Sequence, residues 1–541
     1  MATLSEHDLR QRAEQLEWSL SPDRLPLLLP EVQRLLDAAA RVRTLPFDRE
    51  AAPRRPLRPS DYYHYAGEGV GAGAEPVPTG DELLSASAHE LAAKVKRREA
   101  SAREIADAYL ARIDRLQPVL NCFTQVLPEF ALKEARRIDE DLAAGRLLGP
   151  LAGVPIAVKD LVDIGGVPTT AGAHRRFHRL PEWDAHVIGR LRQAGAVIVG
   201  KTALHEFAYG VTNNNAHYGP TYNPWDLRRI PGGSSGGSAA AVSAGLCAGA
   251  IGTDTGGSIR IPAALCGVVG IKPTYNRVLV EGIVPLSWSL DHVGPLTRTV
   301  ADAALFLDVM AMTEGTTESF GRIVSRDDPL EPIRIGVPRT FFWEALDGEV
   351  ERLAEDALET LRGLGVEVIE CDLPYAADAG RVAAVVMSAE ATAYHEPTLR
   401  AMAAAYGDDV RTRLERGMFL TAADYLAGLR GLHLIEQRWA DVFKHIDALV
   451  MPTTQIAAPP IEDEPGAAPA ASLAMSVQLT RQTNPFNVSG LPAVSVPCGF
   501  TGAGLPVGLQ IVGESRMEGL VLRIAAAYER ATGWAARRPP L

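Results

Sequence analysis

The chain has 541 residues, 47% hydrophobic and 22% charged, a usage that fits a folded globular protein and excludes a disordered one. Its formal charge of −12 gives no support to a basic nucleic-acid groove and directs attention to small substrates. Five scattered cysteines (Cys122, Cys247, Cys266, Cys371 and Cys498), never spaced as C-x-x-C, argue against a disulfide framework and a zinc ribbon.

In chain order, the first 45 residues predict two helices around a Pro-containing turn. Leu9, Ala13, Leu16 and Leu20 share a face of the first, and Val32, Leu35, Leu36 and Ala39 a face of the second. Residues 1–20 carry charges throughout and have no apolar h-region, so no signal peptide is expected and the expected location is cytoplasmic. Residues 53–59 and 67–80 are rich in Pro and Gly and read as a linker. Two units are therefore expected: an N-terminal helical extension over 1–80 and a catalytic domain over 81–541.

Beyond the linker, Ser87 with Glu90 and Ser101 with Glu104 form capping boxes. The second opens a helix with Ile105, Tyr109, Ile113 and Leu116 on one face. Apolar runs at 154–158, 196–200, 333–337, 366–370, 447–451, 493–497 and 507–512 read as strands. Amphipathic stretches at 184–194, 350–364 and 517–530 read as helices. This alternation predicts an α/β protein with a largely buried sheet. Two uncharged stretches, 230–253 and 482–513, are long enough to span a membrane but are broken by Pro, Gly and Ser, so no membrane span is expected.

Lysine is scarce, with seven against 47 arginines. Four of the seven sit among charges. Lys159, Lys201 and Lys272 instead end or follow the apolar runs 154–158, 196–200 and 267–271. Arginine keeps its proton in a protein, whereas a desolvated lysine loses it, so a lysine at the end of a buried strand is a candidate base.

The densest unusual segments are PGGSSGGS at 231–238 and TDTGGSIRIP at 253–262. A flexible linker does not fit between flanking helix and strand patterns. Neither G-x-x-x-x-G-K-[ST] nor G-x-G-x-x-G occurs there. The string G-x-S-x-G matches at 232–236 and 233–237, but its lead-in DLRRIP is a poor buried strand, and a nucleophile elbow needs one. What remains is a pair of glycine-rich turns that present serines and backbone N–H groups at a site, which suits an oxyanion hole. His174 and His178, with Asp184 and His186 nearby, have a metal-compatible spacing but lie in an Arg-rich segment. His205-Glu206 has no second histidine for H-E-x-x-H. No metal is expected.

Residues 232–239 (GGSSGGSA), 252–262 (GTDTGGSIRIP) and 270–274 (GIKPT) closely resemble the amidase signature family. So do 153–160 (GVPIAVKD), 223–226 (NPWD), 290–295 (LDHVGP), 447–452 (DALVMP) and 484–492 (NPFNVSGLP), so the likeness runs from about residue 80 to 530. It implies a large mixed central sheet covered by helices on both faces, with the N-terminal helical extension added. It also implies a Ser–cis-Ser–Lys triad: Ser258 as nucleophile, Ser234 as bridging serine in a cis peptide after Gly233, and Lys159 as base. The N–H groups of Thr255, Gly256, Gly257 and Ser258 would form the oxyanion hole. Asp254 and Arg260 would be a supporting ion pair, and Phe207, Ala208 and Tyr209 would border the substrate. Ser235, Ser238, Lys201, Lys272 and His292 take structural roles in this reading.

The activity implied is hydrolysis of a carboxamide C–N bond, in an aryl or alkyl amide and also in esters or carbamates, through a serine acyl-enzyme without a cofactor. The alternative is the glutaminase component (the A-subunit) of a tRNA-dependent amidotransferase, which shares the motifs. The partners expected are a small-molecule amide substrate and a second copy of the chain in a homodimer, with no nucleic acid and no membrane.

Overall fold

The computed structural model describes residues 4–18, 20–47, 80–311, 319–330, 332–461 and 469–541; the expected linker at 53–59 and 67–79 lies outside them. Thirteen strands occur among these residues. The first five are β1 (Phe123–Val126), β2 (Pro155–Lys159), β3 (Val197–Thr202), β4 (Asn214–Asn215) and β5 (Gly219–Pro220). Next come β6 (Gly249–Asp254), β7 (Val269–Lys272), β8 (His292–Thr297), β9 (Arg334–Val337) and β10 (Glu367–Glu370). The last three are β11 (Ala448–Pro452), β12 (Ala493–Phe500) and β13 (Pro506–Gly513). Eleven of them form one mixed sheet in the order β1-β3-β2-β6-β8-β7-β12-β13-β11-β9-β10, and β4 and β5 pair separately. Every residue of β2, β3, β6, β7, β8, β11 and β13 is buried. Strands buried on both faces read as continuous apolar runs rather than alternating ones. This is why β2, β3, β11 and β13 are visible from composition alone; the runs at 333–337, 366–370 and 493–497 likewise appear as β9, β10 and β12, although no residue of β10 is buried.

Four sheet strands are not visible in this way. β6 and β8 carry Gly, Ala and Pro where β-branched residues would be expected, β7 lies within the short run 267–271 that Lys272 follows, and β1 is a four-residue edge. The glycines are there for close packing. A Cβ on Gly294 would lie 2.0 Å from Ile271 O, and one on Gly252 would lie 2.7 Å from Leu296 Cδ1 and 2.9 Å from Ser235 Oγ. The helices Gly236–Ser243 and Arg260–Cys266 can therefore sit close on this part of the sheet. The two uncharged stretches fold into these tight elements together with β12 and β13, and no helix among the described residues is long and apolar enough to cross a membrane.

Local signals place the helices as expected. Ser87 and Ser101 accept from the N–H groups of Glu90 and Glu104, and both capping boxes close. The helix Ala102–Leu120 then buries Ile105, Tyr109, Ile113 and Leu116. The stretches expected to be helical at 184–194, 350–364 and 517–530 appear as His186–Gln193, Gly348–Gly363 and Glu518–Thr532.

The N-terminal helices Glu6–Gln15 and Leu25–Arg43 form as expected. The second packs on three helices from the other end of the chain, Ala376–Met402, Asp408–Gly417 and Ala422–Val442. It buries Leu25, Leu28, Val32, Leu35, Ala39 and Val42, each larger aliphatic side chain contributing about 1.5–3 kcal/mol. Arginines moor it further: Arg24 to Glu415 at 2.8 Å, Arg416 to Glu31 at 3.4 Å, Arg41 to Asp378 at 2.8 Å and Arg43 to Asp424 at 2.6 Å. Only the first two pairs are buried at both ends. Replacing Arg24 with alanine should destabilise the docked helix by about 3 kcal/mol, because Glu415 stays buried with a partner removed. Replacing the half-exposed Arg41 should cost no more than about 1 kcal/mol. Hydrogen exchange across Leu25–Arg43 in the two variants reads the difference.

Candidate active site

β2 and β6 are parallel neighbours, with Val158 opposite Ile251, so their C-terminal ends meet on one edge, where open α/β sheets bind ligands. Lys159 ends β2, and Thr253-Asp254 ends β6. The chain then makes the turn 255–259 before the helix Arg260–Cys266, which puts Ser258 beside the same edge. The second glycine-rich turn reaches this point from residues 231–235. Its Gly233–Ser234 peptide is cis. Ser235 staples the two turns together: its N–H donates to Ser258 O at 3.2 Å, and its Oγ donates to Thr253 O at 3.1 Å and accepts from Thr253 N at 3.2 Å. Ser238 bonds Ile251 O at 3.1 Å and lies 2.7 Å from Thr202 Oγ1. A strand does lead into a serine turn here, but into Ser258 rather than the G-x-S-x-G string.

The three buried lysines have different partners. Lys201 Nζ pairs with the Asp160 carboxylate at 2.9 Å, both fully buried. Lys272 Nζ donates to the carbonyls of Leu491 at 2.6 Å and Pro273 at 3.0 Å. Lys159 Nζ donates to two hydroxyls, Ser234 Oγ and Thr253 Oγ1, each at 2.8 Å. Lys159 is fully buried. Burial pushes its pKa down to about 7, with the charges of Asp254 and Asp291 opposing the shift. Hydroxyl partners do not compensate an ammonium charge as a carboxylate does.

Asp254 anchors the Ser258 turn. Its Oδ1 accepts from Gly257 N at 2.7 Å, and its Oδ2 accepts from Ile259 N at 3.1 Å. Arg260 grips both oxygens, at 3.0 and 2.9 Å, and extends to Gln510 Oε1 and Asn487 Oδ1, each at 2.7 Å. Burial opposes the charge on Asp254, but the Arg260 guanidinium outweighs it and holds the carboxyl well below the usual range. Gly257 has φ +133°, and a Cβ there would lie 2.2 Å from Thr483 Oγ1; Thr483 itself donates to Gly256 O at 2.7 Å. Because Gly257 N–H is bonded to Asp254, it drops out of the expected oxyanion set. No protein acceptor among the described residues engages the N–H groups of Thr255, Gly256 or Ser258.

A cavity of about 600 Å³ opens on Thr253 and Thr255 and is walled by Leu161, Ile283, Leu286 and Trp288 among others. Of the three residues expected to border substrate, only Ala208 lines it. Phe207 turns away into a ring cluster with Phe177, His395 and Tyr406, at centroid distances of 4.4 to 5.5 Å. Tyr209 reaches Ser388 Oγ at 3.3 Å and lies under Arg413. The reason is the left-handed backbone at Phe207 and Ala208, φ 50° and 61°, which breaks the regular alternation of side chains.

Asp291 was not expected at the site. It lines the cavity, takes a bond from Thr255 Oγ1 at 2.6 Å, and burial pushes its carboxyl up to about 6. Its only signal was its place in LDHVGP, where His292 drew the attention. His292 Nδ1 lies 2.6 Å from Leu290 O, a structural contact.

A glycine-rich serine turn beside a buried lysine, at the end of a mixed sheet, defines a hydrolase of C–N bonds when set beside known proteins. The family model described as Amidase matches residues 104–522, and the chain belongs to this family. The glutamyl-tRNA(Gln) amidotransferase A-subunit of Carboxydothermus hydrogenoformans is 38% identical over 490 residues, covering 85% of this chain and 100% of its own. Among solved structures, a 6-aminohexanoate cyclic dimer hydrolase superposes with TM-score 0.76 at 31% identity, covering 84% of this chain and 99% of its own. The glutamyl-tRNA(Gln) amidotransferase A-subunit of Thermotoga maritima superposes with TM-score 0.67 at 31% identity, covering 84% and 96%.

These names correct one expectation. Relatives matched along nearly their whole length are named for a tRNA and for membership of a larger enzyme, so net charge gives no ground for leaving nucleic acid out. A formal charge is a sum over one chain and does not report what an assembly containing that chain binds.

The ion pair beneath the turn yields a test. Arg260→Met should cost about 3–5 kcal/mol, because it leaves Asp254 buried without its cation. Urea denaturation of wild type and variant measures it.

Proposed function

We propose that this chain hydrolyses a carboxamide through an acyl-enzyme on Ser258, with Ser234 as proton relay and Lys159 as base. The observation that carries the reading is Lys159: fully buried, bonded to Ser234 Oγ at 2.8 Å, and with a pKa pushed down to about 7. A serine hydroxyl is a weak nucleophile until a base takes its proton. In this scheme the proton passes from Ser258 Oγ through Ser234 to the neutral Lys159, and Oγ attacks the amide carbon. The N–H groups of Thr255, Gly256 and Ser258 receive the oxyanion. The relay then runs backwards to protonate the departing nitrogen, and water releases the acid.

The curated relatives, named as A-subunits of a glutamyl-tRNA(Gln) amidotransferase, support a setting within such an enzyme, in which the glutaminase reading makes this chemistry the release of ammonia from glutamine. One observation favours a second reading, a neutral amide as substrate. Among the described residues the cavity is lined by Glu281 and Asp291 but by no arginine or lysine, whereas free glutamine brings an α-carboxylate that calls for a cation. The chain alone should then cleave neutral amides faster than glutamine. Ammonia release from glutamine exceeding that from every neutral amide in a panel would return the assignment to the amidotransferase reading.

Lys159→Arg should abolish turnover nearly as completely as Lys159→Ala, because guanidinium cannot accept the proton. The lowered lysine pKa means the base form grows as pH rises through about 7, so kcat/KM should climb across that range and level off above it. A Lys159→Arg enzyme turning over at near the wild-type rate would remove Lys159 as base.

A further inference from the structure

Trp288 is 49% exposed, yet the backbone on both sides of it is held by buried and half-buried side chains. The N–H groups of Leu286 and Ser287 donate to Asp291 Oδ2 at 2.9 and 3.0 Å. Ser287 Oγ and Ser289 N donate to Glu390 Oε2 at 2.6 and 3.0 Å, and Tyr425 holds the other Glu390 oxygen at 2.7 Å. Tyr275 OH donates to Trp288 O at 2.7 Å. A fixed backbone thus presents a large aromatic ring that the protein itself leaves half uncovered, the arrangement of a stacking surface for a ligand.

The indole lines two cavities. One is the 600 Å³ cavity at the Ser258 turn, and the other, of about 370 Å³, lies between residues 389–425 and the N-terminal segment. Leu16, Ala389, Ala393, Met418 and Leu420 give the second cavity an apolar wall, and Glu390, Glu396 and Arg400 line it as well. Leu16 is held in place there: Arg400 donates to Leu16 O and Glu17 O, both at 3.2 Å, and its guanidinium lies 5.3 Å from the Trp18 ring. The first helix of the extension ends at this wall.

We propose that the second cavity is a distal compartment of the substrate site, closed by the Leu16–Trp18 turn. The substrate it fits is an elongated amide whose apolar chain or ring runs from Ser258 past Trp288 to Leu16 and Met418. This rests on the reading of Ser258 as nucleophile, and it gives the N-terminal extension a part in specificity.

The test anchors alkyl fluorophosphonates of graded length, each ending in a diazirine, on Ser258 of the full chain. After photolysis and digestion, mass spectrometry maps the insertions. Short chains should insert into residues 279–286, and long ones into residues 16–18 and 389–425. Long-chain insertion confined to 279–286, or lost entirely to solvent, overturns the compartment. No adduct on Ser258 overturns the acyl-enzyme reading instead. The free long-chain amide bearing the same diazirine then tests the compartment by itself, with the same residues labelled if it exists and others labelled if it does not. Leu16→Trp should lower labelling of 389–425 by the free probe about tenfold, the loss expected when roughly two fewer methylenes are buried. Undiminished labelling counts against Leu16 as its wall.

Discussion

Taking the amine of Lys159 wholly out of water, with only hydroxyls to meet it, is the constraint on which the site depends. The cost of that burial is what lowers its proton affinity toward neutrality. Lys201, equally buried a strand away, faces the Asp160 carboxylate, and the structure thereby separates two lysines that look alike in sequence. Parallel pairing of β2 with β6 does the rest, because it delivers the lysine and the Ser258 turn to the same edge.

The turn itself is shaped by charge. Asp254 binds three backbone N–H groups that follow it and is locked by Arg260, which in turn reaches Asn487 and Gln510 near the end of the chain. One buried ion pair thus ties β6 to segments more than two hundred residues away, and the geometry of the N–H groups beside Ser258 is only as good as that pair. Such a pair adds little net stability compared with apolar packing; what it supplies is a fixed backbone.

Long apolar runs made most of the sheet legible. Of the strands beside the chemistry β2 was legible and β6 and β8 were hidden, because Gly252 and Gly294 serve close packing and not strand propensity. At the site, Lys159 stood out through residue choice, an arginine-rich chain keeping lysine at the end of a buried run. The Ser234 and Ser258 assignments came from resemblance and not from pattern. Asp291, Trp288 and the turn of Phe207 away from the cavity depend on tertiary placement, which neither periodicity nor motif spacing encodes. The partner expectation failed for another reason: a summed charge carries no information about an assembly.

The mooring of the N-terminal helices also bears on how the molecule is made. Arg24 and Glu415 are 391 positions apart, so these helices leave the ribosome long before the surface that receives them. During that interval the apolar face of Leu25–Arg43 is uncovered, and its closure is among the latest and most non-local events of folding. Older residues thus dock onto much newer ones, and a nascent chain stalled before residue 376 carries an unmated amphipathic helix that is exposed to chaperones or to self-association.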